Sequence, residues 1–136
     1  MRETKYRGRA IEPIPNKWFY GGYVKKGKKR TKHYIVNWDE KNMKLAQVDP
    51  KSIGQYTGLK DSFKNDIYEG DVLRVTYSWS GDERYGVIEW DNENNASYVF
   101  CEKGTNAMAI SQIFDEDGDY IKEVIGNIYE DEHLLD

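Results

Sequence analysis

Turn-forming residues cut this chain into short pieces, and that punctuation constrains the fold more than any other feature. A glycine, a proline or an Asn/Asp cluster ends each apolar stretch before it reaches the length of an ordinary helix. Between interruptions, polar and apolar residues alternate with the two-residue period of a strand. The clearest case spans residues 66–77, with a turn at Gly70-Asp71 and an alternating strand from Val72. A loop centred on Gly81 follows, and Tyr85-Gly86-Val87-Ile88-Glu89-Trp90 returns as the partner. Strands are also predicted over residues 5–11, 18–24, 32–38, 43–48, 96–101 and 120–129, the last with a kink at Gly126. Pro13 and Pro15 end the first of these, because proline cannot donate to a ladder. Turns are predicted at 39–42, 91–95 and 115–119, and residues 49–59, with two glycines, read as a structured loop. Residues 107–114 fit either a strand or a short helix, and 131–135 fit a terminal helical turn. Short strands at roughly 8–12-residue spacing predict a mainly β protein. The glycines before two successive strands point to a small SH3-like barrel over about residues 66–130, with N-terminal β-hairpins and little helix.

Such a chain needs a core, and its aromatics can supply one. Nineteen of the 136 residues are Phe, Trp or Tyr, although 32% are charged; large aromatic rings bring apolar area to a hydrophilic chain. The length fits one domain, 1–136, with a basic N-terminal part over 1–48 and an acidic barrel-like part over 49–136. The longest apolar run is a few residues, so no membrane span is expected, and Met1-Arg2-Glu3-Thr4-Lys5 leads into no apolar signal core. A lone Cys101 leaves no internal disulfide and no cysteine-rich zinc site, which fits an intracellular protein.

The net charge of −4 hides a segregation. Residues 1–44 hold 13 Lys+Arg against 4 acids, a net of +9, whereas residues 45–136 hold 7 against 20, a net of −13. The basic part suits a nucleic-acid backbone. It equally suits the acidic part of the same chain or of another copy. Lys25, Lys26, Lys28, Lys29, Arg30 and Lys32 form the densest cluster, predicted at a hairpin tip. Trp18, Phe19, Tyr20 and Tyr23 precede it, and Tyr34 and Trp38 follow. A basic tip with aromatic flanks can hold a phosphate backbone and stack a base. The competing reading puts the aromatics in the core and leaves the lysines to solubilise a turn.

No constellation of catalytic groups emerges. Asp115-Glu116-Asp117-Gly118-Asp119 fails as a calcium loop, because the glycine falls at position 4 instead of 6 and position 12 is Gly126. His33, His133 and Cys101 share no ligand or nucleophile spacing, and Cys101 is expected in the core. Gly21-Gly22 and Gly54/Gly58 lack the Gly-Lys-Ser/Thr of a phosphate loop. Neither an enzymatic activity nor a metal or other cofactor is expected.

Several motifs in combination resemble a known family. They are Arg7-Gly8, Trp18-Phe19-Tyr20-Gly21, Val48-Asp49-Pro50, Ile53-Gly54-Gln55-Tyr56-Thr57-Gly58-Leu59-Lys60-Asp61, Ile67-Tyr68-Glu69-Gly70-Asp71-Val72 and Val124-Ile125-Gly126-Asn127-Ile128-Tyr129-Glu130. Across about residues 4–135 the chain resembles the YopX family of phage and prophage proteins. Where that family has a Gly-rich turn before Ile-Tyr-Glu-Gly-Asp, this chain has Ser62-Phe63-Lys64-Asn65-Asp66. The resemblance implies a phage or prophage accessory protein of the bacterial cytoplasm, self-associating as a homo-oligomer. It would act by binding a host or phage macromolecule, and the alternative is a nucleic-acid module using the Lys25–Lys32 hairpin. The resemblance transfers no catalytic residue. Gln55, Tyr56 and Thr57, in the predicted loop, are the polar family-motif positions, either functional or bonded to their own backbone.

Overall fold

The computed structural model describes residues 5–38, 43–93, 96–103, 107–114 and 118–136. The turn predicted at 39–42 and most of the one at 115–119 lie outside them, as do residues 94 and 95 of the turn at 91–95. Strands make up 59% of the described residues and helical turns 9%, so the mainly β expectation holds. The chain divides into two compact units, residues 1–56 and 57–136.

The first unit is built from β1 (Tyr6–Glu12), β2 (Trp18–Lys26), β3 (Lys32–Trp38), β4 (Met43–Val48) and the start of β5 (Gly54–Lys60). All pairings are antiparallel: β2 pairs β3, β3 pairs β4, β4 pairs β1, and β1 pairs back onto β2. Four strands therefore close into a ring, and a closed ring leaves few unpaired edges. Gly21 makes the closure possible. It faces Tyr6 on β1 while its neighbour Gly22 faces Val36 on β3. A Cβ at Gly21 would lie 2.1 Å from the Val36 carbonyl oxygen. Alternate residues fill the ring: Ala10, Ile35, Ala46 and Val48 are at most 4% exposed, with Tyr6, Phe19, Tyr23 and Ile53 against them. Asp49 caps a 3-10 turn at Pro50–Ser52, accepting from the Lys51 N–H at 3.0 Å.

The second unit holds β6 (Asp66–Tyr68), β7 (Asp71–Tyr77), β8 (Glu83–Asp91), β9 (Ser97–Glu102), β10 (Met108–Ala109), a single turn of helix α1 (Ile110–Ile113) and β11 (Tyr120–Asn127). Its sheet runs β10-β9-β8-β7-β11. The last strand returns to the first after a helical turn, the meander order of an SH3-like barrel, in the predicted region. Closure of a full ring, however, occurs in the first unit, where only hairpins were expected. Leu73 and Val75 of β7, Ile88, Tyr98, Phe100, Ile67 and Ile113 form the core. The ambiguity at 107–114 resolves as both elements, two strand residues and then four helical ones. The kink at Gly126 is a register shift between Val124 and Gly126.

The loop expected at residues 49–59 is largely a strand. Residues 54–60 are strand β5, so Gln55, Tyr56 and Thr57 lie in a ladder and not in a loop. Gln55 faces Tyr6 and the Tyr56 N–H donates to the Lys5 carbonyl at 2.7 Å. The two glycines signalled a turn, but Gly54 is buried in pairing with Arg7 and Gly58 takes a positive φ of 85° within the strand.

Candidate functional site

The basic cluster lies where the alternation placed it. β2 carries Lys25 and Lys26, Lys32 opens β3, and the connection between them holds Gly27, at φ 106°, with Lys28, Lys29 and Arg30. All six cationic residues are exposed. None has an ion-pair partner among the described residues. Lys26 stands directly opposite Lys32, and Lys25 opposite His33. Like charges facing each other across a ladder are destabilising by a fraction of a kcal/mol, roughly 0.2–1. Folding accepts that cost here without an internal acid to offset it.

The flanking aromatics separate by strand parity. Phe19 and Tyr23 point inward with the core, where the Tyr23 hydroxyl meets His33 Nδ1 at 2.5 Å and the two rings stack. Trp18 lies under the Arg7 guanidinium, 4.9 Å from its ring centre. Tyr20 and Tyr34 have the opposite parity and share the outer face of the ring. Three rows cross that face: Lys26 with Lys32; Val24 with Tyr34 and Gln47; Gly22 with Val36 and Leu45. Tyr20, Val24, Met43 and Leu45 are each at least 38% exposed. A groove of about 250 Å³ opens there between Glu12, Pro13, Lys32, Tyr34, Leu45 and Gln47. Lysines thus border an exposed apolar and aromatic strip, with Tyr34 two residues from Lys32 on one face, about 6.6 Å along the strand.

The charge division follows the structural one. Residues 1–56 hold 14 Lys+Arg and 5 acids, a net of +9, and residues 57–136 hold 6 and 19, a net of −13. The second unit therefore has its own electrostatics. Glu69 has its carboxyl pushed above the usual range by burial and by the charge of Glu89. Cys101, expected in the core, is only half-buried, and its thiol lies 3.4 Å from Glu89 Oε2. Burial first, and then the Glu89 charge, raise that thiol to about 11. Among the described residues no three His, Cys, Asp or Glu side chains converge as a metal site.

Among the family-motif residues, the side chains of Thr57, Asp61 and Asp71 are bonded to backbone. Thr57 is buried, and its hydroxyl donates to the Ile67 carbonyl at 2.7 Å while accepting from the Leu59 N–H. Tyr56 carries the Lys5 ammonium 4.7 Å from its ring centre. Asp71 accepts from the Tyr68 N–H at 2.7 Å, closing the Tyr68-Glu69-Gly70-Asp71 turn in which Gly70 takes φ 91°. Asp61 receives four hydrogen bonds, from the N–H groups of Phe63, Asn65 and Val124 and from Asn65 Nδ2. It organises the turn at 62–65.

These features define a mainly β protein of two oppositely charged units, one of them a closed four-strand ring. The sequence model of the family described as YopX protein matches residues 5–136, nearly the whole length, and the chain belongs to that family. No protein among the curated ones matches it. No described helix is long and apolar enough to cross a membrane.

Proposed function

We propose that this protein is a binding module and not an enzyme, a phage or prophage accessory protein of the bacterial cytoplasm that holds nucleic acid on its basic unit. The observation that carries the proposal is the β2–β3 tip, where six cations stand exposed without ion-pair partners among the described residues, two of them face to face. A polyanion would relieve that repulsion, and counterion release would drive the binding. The adjoining strip, with exposed Tyr20 and Val24 and half-buried Tyr34, favours a single strand, because unpaired bases can stack on accessible rings. A gel shift at low salt with a labelled single-stranded oligonucleotide tests this. Wild type should retard it, and replacing Lys25, Lys26, Lys28, Lys29, Arg30 and Lys32 by glutamine should abolish the shift with the fold intact by circular dichroism. No retardation by the wild-type protein sinks the proposal.

A second reading is self-association, with the basic unit of one copy against the acidic unit of another. The +9 and −13 division supports it. Light scattering at two concentrations without nucleic acid decides it: a mass that rises with concentration and falls with salt supports the homo-oligomer, and a monomer throughout removes it.

A further inference from the structure

The acidic unit carries an aromatic site that the basic unit's role leaves unused. Tyr77 ends β7, Trp79 stands on the β7–β8 connection, and Tyr120 begins β11 directly opposite Tyr77. The Tyr77 and Trp79 rings stack with centroids 4.9 Å apart, 19° from parallel. Tyr120 stands edge-on to both, at 5.3 and 5.5 Å. Trp79 is nonetheless 62% exposed, the highest value of any large apolar side chain among the described residues. Tryptophan normally buries most of its area, and exposed ones concentrate at binding sites.

The loop presenting it is held on several sides. The Tyr77 N–H donates to the Asp82 carbonyl at 2.9 Å and the Gly81 N–H to the Tyr77 carbonyl at 2.7 Å. The Ser78 N–H reaches the Asp119 carbonyl at 2.9 Å, and the Asp82 N–H reaches Ser80 Oγ at 3.2 Å. The ring is therefore set before a partner arrives, which lowers the ordering cost of binding.

The surroundings select the ligand. The Arg84 guanidinium already lies 5.8 Å from the Tyr77 ring centre, so this cluster attracts a cation within its own chain. Asp82, exposed and opposite Tyr77, adjoins it, in a unit of net charge −13. A phosphate backbone would be repelled here, and a lysine or arginine would be drawn onto the open face of Trp79.

We propose that Tyr77, Trp79 and Tyr120, with Asp82, form a docking site for a Lys/Arg-rich segment of a partner protein. Fluorescence anisotropy of a labelled peptide of alternating arginine and alanine, read at low salt on the full chain, tests this. Wild type should bind it and ignore the glutamate counterpart. Trp79→Ala should weaken binding about two- to fivefold, as a cation over an exposed ring predicts. Trp79→Phe should retain most of it, and Asp82→Asn should weaken it and flatten its salt dependence. The hairpin glutamine variant should bind as wild type does, which separates this site from the nucleic-acid site. Absence of peptide binding, or equal binding by a folded Trp79→Ala protein, overturns the proposal. So does loss of self-association in Trp79→Ala without peptide binding, which would assign the site to a second copy.

Discussion

Asp61 shows how one side chain can hold a turn and a sheet together. Burial alone would raise its pKa, but the bonds from Val124, Asn65 and Phe63 outweigh burial and leave it below the ordinary 3.8. A carboxylate with a depressed folded pKa contributes stability above its unfolded value, and that contribution is lost as pH falls through the folded one. Urea midpoints should therefore decline below about pH 4, and this decline should shrink in Asp61→Ala. That variant should itself cost about 2–3 kcal/mol at neutral pH, since the Val124 N–H inside the sheet loses its acceptor. An unchanged midpoint would contradict the role. Cys101 gives a second residue-level test. A thiol raised from 9.0 to about 11 holds about a hundredfold less thiolate at pH 8, so iodoacetamide should alkylate it correspondingly slowly. Glu89→Gln should speed the reaction, and alkylation at the rate of a free thiol would show that the thiol is not shifted.

At the scale of elements, the hairpin tip sets stability against binding. Lys32→Glu should pair with Lys26 across the ladder and stabilise the protein by up to about 1 kcal/mol, while weakening nucleic-acid binding. Thermal melts and gel shifts on the same preparation check both signs; a destabilised variant would mean that the two positions do not face each other. The same strands show what was legible beforehand. β3 and β4 span the predicted residues because period-2 alternation ends there at unambiguous turn chemistry. The lysines were legible too, since a charged tip needs no tertiary partner to be placed. The inward and outward division of Phe19, Tyr20, Tyr23 and Tyr34 was not, because both parities of β2 are aromatic and only ring closure decides which face is core. Gly54 and Gly58 hid β5 by the same ambiguity, since glycine marks a turn or a close strand approach equally well. The Tyr77–Trp79–Tyr120 cluster joins residues 43 apart in sequence, and only the β7–β11 pairing brings them together.

For the whole molecule, the division of charge between two compact units matters more than the net −4. On the two proposals, the hairpin cations, which have no ion-pair partner among the described residues, and the acidic sheet with its exposed tryptophan would suit an anionic polymer and a cationic segment respectively. Neutralising either surface should leave the other's binding intact, because exposed substitutions usually change stability by less than about 0.5 kcal/mol. The most direct test is the anisotropy of a labelled single-stranded oligonucleotide followed through a salt titration. Six cations on phosphates predict a slope of log K against log salt of roughly −4. The hairpin glutamine variant should show no binding over the same salt range. An equal slope in the variant, or no binding by the wild-type protein at low salt, would contradict nucleic-acid recognition by the basic unit.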